Sequence, residues 1–224
     1  MTALMARFCS ANEVFHMARK ACVGAGLAHD RAEDLAEAVT LLQCAGRAGL
    51  TALLQLLRRH QQDPDEPALK LRLEGNRLVA GRLRPEAEGV AAIDWLIAGR
   101  GQNGPEGEAG VEAPVICDGL IMAGLLLVAV RSYGGQFRFQ AATGIAPLVI
   151  ASPLSVSSLP PLDGGLLSYH DDAGEAGDGL LSYHHTAVAQ EVWQALGALA
   201  HLTYVPASEA SRQSGAGAGL VDND

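Results

Sequence analysis

Two stretches of this 224-residue chain hold side chains whose types and spacing could do chemistry. The first spans residues 163–185. Gly165-Leu-Leu-Ser-Tyr-His170 recurs there as Gly179-Leu-Leu-Ser-Tyr-His184, with Asp171, Asp172, Glu175 and Asp178 between the copies and His185 after the second. Three readings fit these residues. Imidazole nitrogens and carboxylate oxygens suit Zn²⁺ or Mn²⁺. One histidine beside Asp171 or Asp172 suits proton transfer, since imidazole titrates near neutral pH. A solvated surface hairpin needs no chemistry at all, and it is the reading the residues favour. If the two copies pair antiparallel, His170 sits beside the turn and His184 at the far end, about 15 Å or more away at the rise of a strand. No compact His-x-His or helical His spacing brings metal ligands together, so the expected metal is none, and no stoichiometric zinc is expected. His184 and His185 are kept as candidate catalytic residues.

The second stretch is the tail. Ser208, Glu209, Ser211 and Arg212 precede Gly215-Ala-Gly217-Ala-Gly219, and Leu220, Val221, Asp222, Asn223 and Asp224 close the chain. Successive glycines let backbone N–H groups converge on an anion. Arg212, the third candidate catalytic residue, can clamp a carboxylate or phosphate through two parallel hydrogen bonds. Asp222, Asp224 and the terminal carboxylate suit a cation or a basic partner instead. A frayed glycine-rich end is the plain alternative. The candidate ligand-binding set is Ser208, Glu209, Ser211, Gly215, Gly217, Gly219, Asp222, Asn223 and Asp224.

The elements that would carry these stretches follow from periodicity and punctuation. Ser10 caps a helix over 12–23, with Glu13 completing a capping box. Val14, Met17, Ala18, Ala21 and Cys22 lie on its apolar face. Gly24 and Gly26 end it. Asp30 is expected to cap a second helix with its stripe at Leu35, Ala38, Val39 and Leu42, and a third runs over 50–60. A hairpin over 68–83 turns at Gly75-Asn76, with Leu69, Leu71 and Leu73 on one face. A helix over 89–98 follows, then the apolar run 119–130 with Asp118 as its N-cap. Strands are expected at 136–142, 146–150 and 154–159, and a last helix at 186–201. The pattern predicts one α+β domain over 1–224. It has an N-terminal helical layer at 1–60 and a body and tail at 61–224. The body holds a mostly antiparallel sheet of five or six strands, a C-terminal helix and an ordered tail.

Composition narrows the function classes. A net charge of −9 opposes a polyanion, and Lys20 and Lys70 are the two lysines, so no nucleic-acid partner is expected. The run 119–130 spans about 18 Å as a helix, short of a bilayer, so no membrane partner is expected. The opening residues do not read as a secretory signal. Cys9, Cys22, Cys44 and Cys117 lack C-x-x-C spacing and are expected as reduced, mostly buried thiols of a cytoplasmic protein. No strand-linked G-x-G-x-x-G and no Walker A motif occurs, so a Rossmann reading fails on context and the cofactor stays unknown.

Two resemblances add to this. Glu13, Ala18, Lys20, Ala21, Gly24, Gly26, Leu27 and Glu33 at the front resemble the pattern of a bacterial domain-of-unknown-function family. So do Pro206 to Glu209, Ser211, Arg212, Gly215 to Gly219 and Asp222 to Asp224 at the end. The resemblance covers the two ends and carries no activity, but it implies that the tail is an ordered, docked element. The front helix pair alone is also similar to that of malate/sulfolactate-type NAD(P)-dependent dehydrogenases, without their catalytic and cofactor motifs. Three functions remain in view. One is a small-molecule enzyme using the tail, with a small anionic or polar ligand. The second is a non-catalytic binding protein. The third is a structural subunit, homo-oligomeric or accessory, that associates through its sheet or hairpin.

Overall fold

The computed structural model describes residues 6–62, 71–99, 110–141, 148–151, 162, 164–170 and 185–203. Within them the chain is α+β, as its pattern predicts. Strand β1 (Ala6–Cys9) leads into α1 (Ala11–Gly24). Here the expected capping box is complete. The Ser10 hydroxyl accepts from the Glu13 N–H at 3.2 Å, and Glu13 Oε2 accepts from the Ser10 N–H at 2.8 Å. Helix α2 (His29–Cys44) begins earlier than expected. Ala28 is its N-cap, and Asp30 lies in the first turn, accepting a hydrogen bond from the Arg31 N–H at 2.8 Å. Helix α3 (Gly49–Gln62) matches the third predicted helix and ends on Arg59 and His60.

The hairpin forms from β2 (Arg72–Glu74) and β3 (Arg77–Val79). Gly75 takes φ +60°, the left-handed conformation that a tight turn requires and glycine adopts without strain. Next, a π turn (Pro85–Gly89) precedes α4 (Val90–Ala98), where the sequence suggested only a helix. Strand β4 (Gly110–Ala113) is followed by α5 (Gly119–Tyr133), the apolar run, which is buried along most of its length. Then come β5 (Gln136–Ala141), β6 (Leu148–Ile150) and β7 (Gly165–His170). Residues 186–189, expected to open the last helix, instead form β8 (Thr186–Ala189), which pairs antiparallel with β1. Helix α6 (Gln190–His201) starts after it. The β-branched Thr186 and Val188 suit a strand, and β1 supplies a partner edge that helical periodicity cannot reveal. The strand expected at 154–159 lies outside the described residues.

Six strands form the main sheet in the order β2-β3-β4-β7-β5-β6, antiparallel except for the β3–β4 pair. One face of it, carrying Phe137, Phe139, Leu167 and Tyr169, joins the same buried cluster as α4 and α5. Behind α5 lies α2, which also packs on α1, and α1 packs on α6. The close crossings depend on small residues. A Cβ added at Gly24 would overlap the Leu199 carbonyl of α6, and one at Gly124 would come within 2.9 Å of Leu42 in α2.

Candidate functional site

The buried charged side chains among the described residues are Arg84, Glu86 and Glu88, all in or beside the π turn. Burying a charge is costly unless it is paired and hydrogen-bonded. Arg84 and Glu88 meet that condition. Nη2 of Arg84 lies 2.9 Å from Glu88 Oε1, and the Arg84 backbone N–H donates to Glu88 Oε2 at 3.3 Å. Glu86, 5% exposed, meets it only in part. Its Oε1 accepts from Arg59 Nη2 at 3.4 Å, whereas its Oε2 is buried with no hydrogen-bond partner.

Three elements converge to make this arrangement. Helix α3 delivers Arg59 from its last turn, where a cation is favoured by the helix dipole. The π turn delivers Glu86. A single carbonyl, that of Arg84, accepts from the N–H groups of Ala87, Glu88 and Gly89, which winds the segment wider than an α-helix. Helix α5 is preceded by Asp118, and its carboxylate oxygen Oδ2 is hydrogen-bonded to Arg59 Nη2. Asp118 is the N-cap that the sequence predicts, but its side chain makes no cap hydrogen bond. It adopts φ 48°, making it the non-glycine residue with positive φ among those described. Left-handed backbone in a non-glycine residue, a π turn and an unpartnered buried carboxylate oxygen each tend to mark functional sites, and here they coincide.

Electrostatics at the cluster follow from burial and pairing. Burial pushes the Glu86 carboxyl above the ordinary carboxylate range, and its own backbone N–H and the Arg59 guanidinium only partly offset this. Burial works against the charge of Arg59, but the hydrogen bond to Asp118 and the charges of Asp118 and Glu86 outweigh it and raise the guanidinium. Arg59 is the open side of the cluster, with 37% of its side chain exposed against 12% for Asp118. Cys117 adjoins it, and burial raises that thiol. The arrangement can accept a hydrogen bond at Glu86, hold a proton there, and present a guanidinium to solvent.

Of the sequence-predicted site residues, His185 is described. It is exposed, directly before β8 and remote in sequence from this cluster. His184, Ser208, Glu209, Ser211, Arg212, Gly215, Gly217, Gly219, Asp222, Asn223 and Asp224 lie outside the described residues. So do Asp171 and Asp172. His170 ends β7, and its Nε2 lies 3.1 Å from Ser168 Oγ. The surface-hairpin reading does not hold for the first SYH copy. Strand β7 is interior, with β5 along one side and β4 along the other over Gly165–Ser168. Among the described residues no group of histidine, cysteine and acidic side chains is spaced to hold a metal. Free Cys9 and Cys22 are buried, while Cys44 and Cys117 are half-buried. Sequence reasoning missed Arg59, Glu86 and the Arg84–Glu88 pair. The usable signal was Arg-Pro-Glu-Ala-Glu, opposite charges four apart directly before an apolar helix.

Residues 9–84 match the model of a family described as protein of unknown function (DUF3726). Over that span the chain is similar to this family, in line with the resemblance of its first helices; the closing signature lies beyond the match. Among curated proteins, none matches. A solved structure, malate dehydrogenase from Entamoeba histolytica, is similar with a TM-score of 0.45 at 12% identity, over 72% of this chain and 50% of that one. This chain thus spans half the length of that protein, and no conclusion about activity rests on a likeness of that size. No helix among the described residues is long and apolar enough to cross a membrane.

Proposed function

We propose that this chain acts in small-molecule metabolism, cytoplasmic and without a nucleic-acid partner, by binding a polar ligand where α3, the π turn and α5 meet. The observation that carries this reading is Glu86 Oε2, buried without a partner beside a guanidinium that reaches solvent. A buried polar atom left unpaired costs about 1–3 kcal/mol, and a fold retains such a cost where a bound group relieves it. The test is native mass spectrometry on protein purified from its own host. A non-covalent small-molecule mass should accompany the wild type and fall away in Glu86→Gln. No retained mass, or the same mass in both, defeats the reading.

The glycine-rich tail is proposed as a second ligand-binding element, on its sequence. Arg212 and the 215–219 backbone would meet an anionic group, with His184 or His185 nearby. An alternative reading, an accessory or structural subunit, draws on one observation. Leu73 is 64% exposed on β2, the outer strand of the main sheet, where unpaired backbone groups and an apolar side chain invite another chain.

A further inference from the structure

We propose that the groove between α1 and α6 seats this chain's own tail, with Leu220 and Val221 in the groove and Asp222 or Asp224 against Lys20. The proposal rests on the reading of the tail as a docked element and says where it docks. The groove holds about 330 Å³, room for side chains as well as water. Met17 of α1 and Trp193, Gly197 and Ala200 of α6 give it an apolar lining. Glycine inside a helix is less stable than alanine, so its position needs a reason. At Gly24 the reason is the close backbone of α6. At Gly197 the nearest atom that an added Cβ would meet is Met17 Cε, 3.9 Å away. Among the described residues nothing crowds Gly197; a further segment lying close against α6 would account for it. Connectivity favours the tail as that segment. Thr203, the last described residue, follows directly on α6, which forms one wall. The path back along α6 from Ala200 to Trp193 is about 10 Å, whereas residues 204–219 reach roughly 50 Å when extended. Charge favours it too. Glu13, His16 and Lys20 are the titratable side chains on the walls, and the Arg7 guanidinium lies over the Trp193 ring at 4.7 Å. Arg7 pairs with Glu13 at 3.3 Å, and Arg19, next to Lys20, pairs with Glu33 at 3.9 Å. With those pairs cancelled, the walls keep the positive charge of Lys20. Glu191 and His201 stand at the two ends of α6, outside the lining. After Gly219 the tail has the complementary pattern, the aliphatic Leu220 and Val221 followed by the carboxylates of Asp222 and Asp224.

The experiment is zero-length crosslinking of the full chain with a water-soluble carbodiimide, which joins an amine to a carboxylate in contact, followed by peptide mass spectrometry. Equal amounts of ¹⁴N- and ¹⁵N-labelled protein are mixed beforehand. A link from Lys20 to Asp222 or Asp224 within single chains is expected. Hydrogen exchange on the same protein should show residues 220–222 protected. Gly197→Leu, which fills the groove, should speed their exchange about tenfold or more, the opening cost of one buried aliphatic side chain. Protection of 220–222 with no link to Lys20 and no response to Gly197→Leu would mean that the tail docks elsewhere, so this siting falls and the docked tail stands. A link between differently labelled chains would assign the groove to the tail of a second copy and overturn the proposal. No protection of 220–222 and no link would overturn both the siting and the docked tail. The crosslink is read on the wild type, so its outcome does not depend on how well Gly197→Leu folds.

Discussion

Glu86 couples protonation to folding. Burial raises its folded-state pKa above that of an unfolded glutamate, about 4.3. A carboxyl raised in this way contributes most to stability at acid pH, below the unfolded value, and that contribution is lost as pH climbs through the folded value. Replacing Glu86 with the neutral, isosteric Gln should therefore raise the urea midpoint at pH 7, and the gain should shrink as the pH approaches 4. A gain that grows on acidification would mean that Arg59 outweighs burial. The cysteines permit a second residue-scale test. Cys22 is fully buried on α1, with its thiol pushed up to about 12 by burial, and Cys9 is buried as well. The thiolate is the reactive form, so iodoacetamide should label Cys44 and Cys117 first and reach Cys9 and Cys22 only in denaturant. Equal labelling of all four in native protein, read by mass spectrometry, would show that the α1 face opens. At this scale the capping box of Ser10 and Glu13 was legible in sequence because its partners lie three residues apart. The Arg59–Glu86–Asp118 contact was not, because its members come from three elements distant along the chain.

At the scale of elements, helix periodicity located α1, α3, α5 and most of α2, whose apolar stripes are written every three or four residues. It failed at Thr186–Ala189, where pairing with β1 overrode a pattern that also fits a helix. The hairpin suggested by the likeness of the two SYH copies fails at the first of them, because β7 is taken up by β4 and β5; the second copy lies outside the described residues. Pairing partners depend on which edges the rest of the fold leaves open, and no local window records that. The crossing of α1 and α6 rests on Gly24, and the Leu199 backbone leaves no room there for a methyl group. Gly24→Ala should lower stability by about 2 kcal/mol, since overpacking outweighs the better helix propensity of alanine. A lower urea midpoint with an unchanged slope is the expected readout; an unchanged midpoint would mean that α6 shifts freely.

For the whole molecule, one buried cluster runs from Cys9 to Leu196 and draws on both the first three helices and the sheet. The tail is where the sequence makes a claim that the described residues do not reach. If Leu220 and Val221 dock as their resemblance implies, deleting residues 215–224 should lower the melting temperature by several degrees, about what the loss of 1–2 kcal/mol does in a chain of this size. An unchanged melting temperature would mean the tail contributes nothing to the fold. Association through β2 is tested by sedimentation. If the exposed Leu73 is part of an interface between copies, Leu73→Lys should shift the protein to the monomer; equal sedimentation of both forms would exclude that edge.

By itself, the amino-acid order determined most of the helices, the capping box of α1, the hairpin turn at Gly75-Asn76 and the α+β class, because each depends on interactions between residues a few positions apart. The tertiary structure alone decided which strand became interior, that residues 186–189 pair with β1, and that an arginine, a glutamate and an aspartate from distant segments share one half-buried pocket of charge. Those outcomes depend on burial and on long-range partners, so the cost of an unpaired carboxylate oxygen at Glu86 could be seen only once the chain had closed around it.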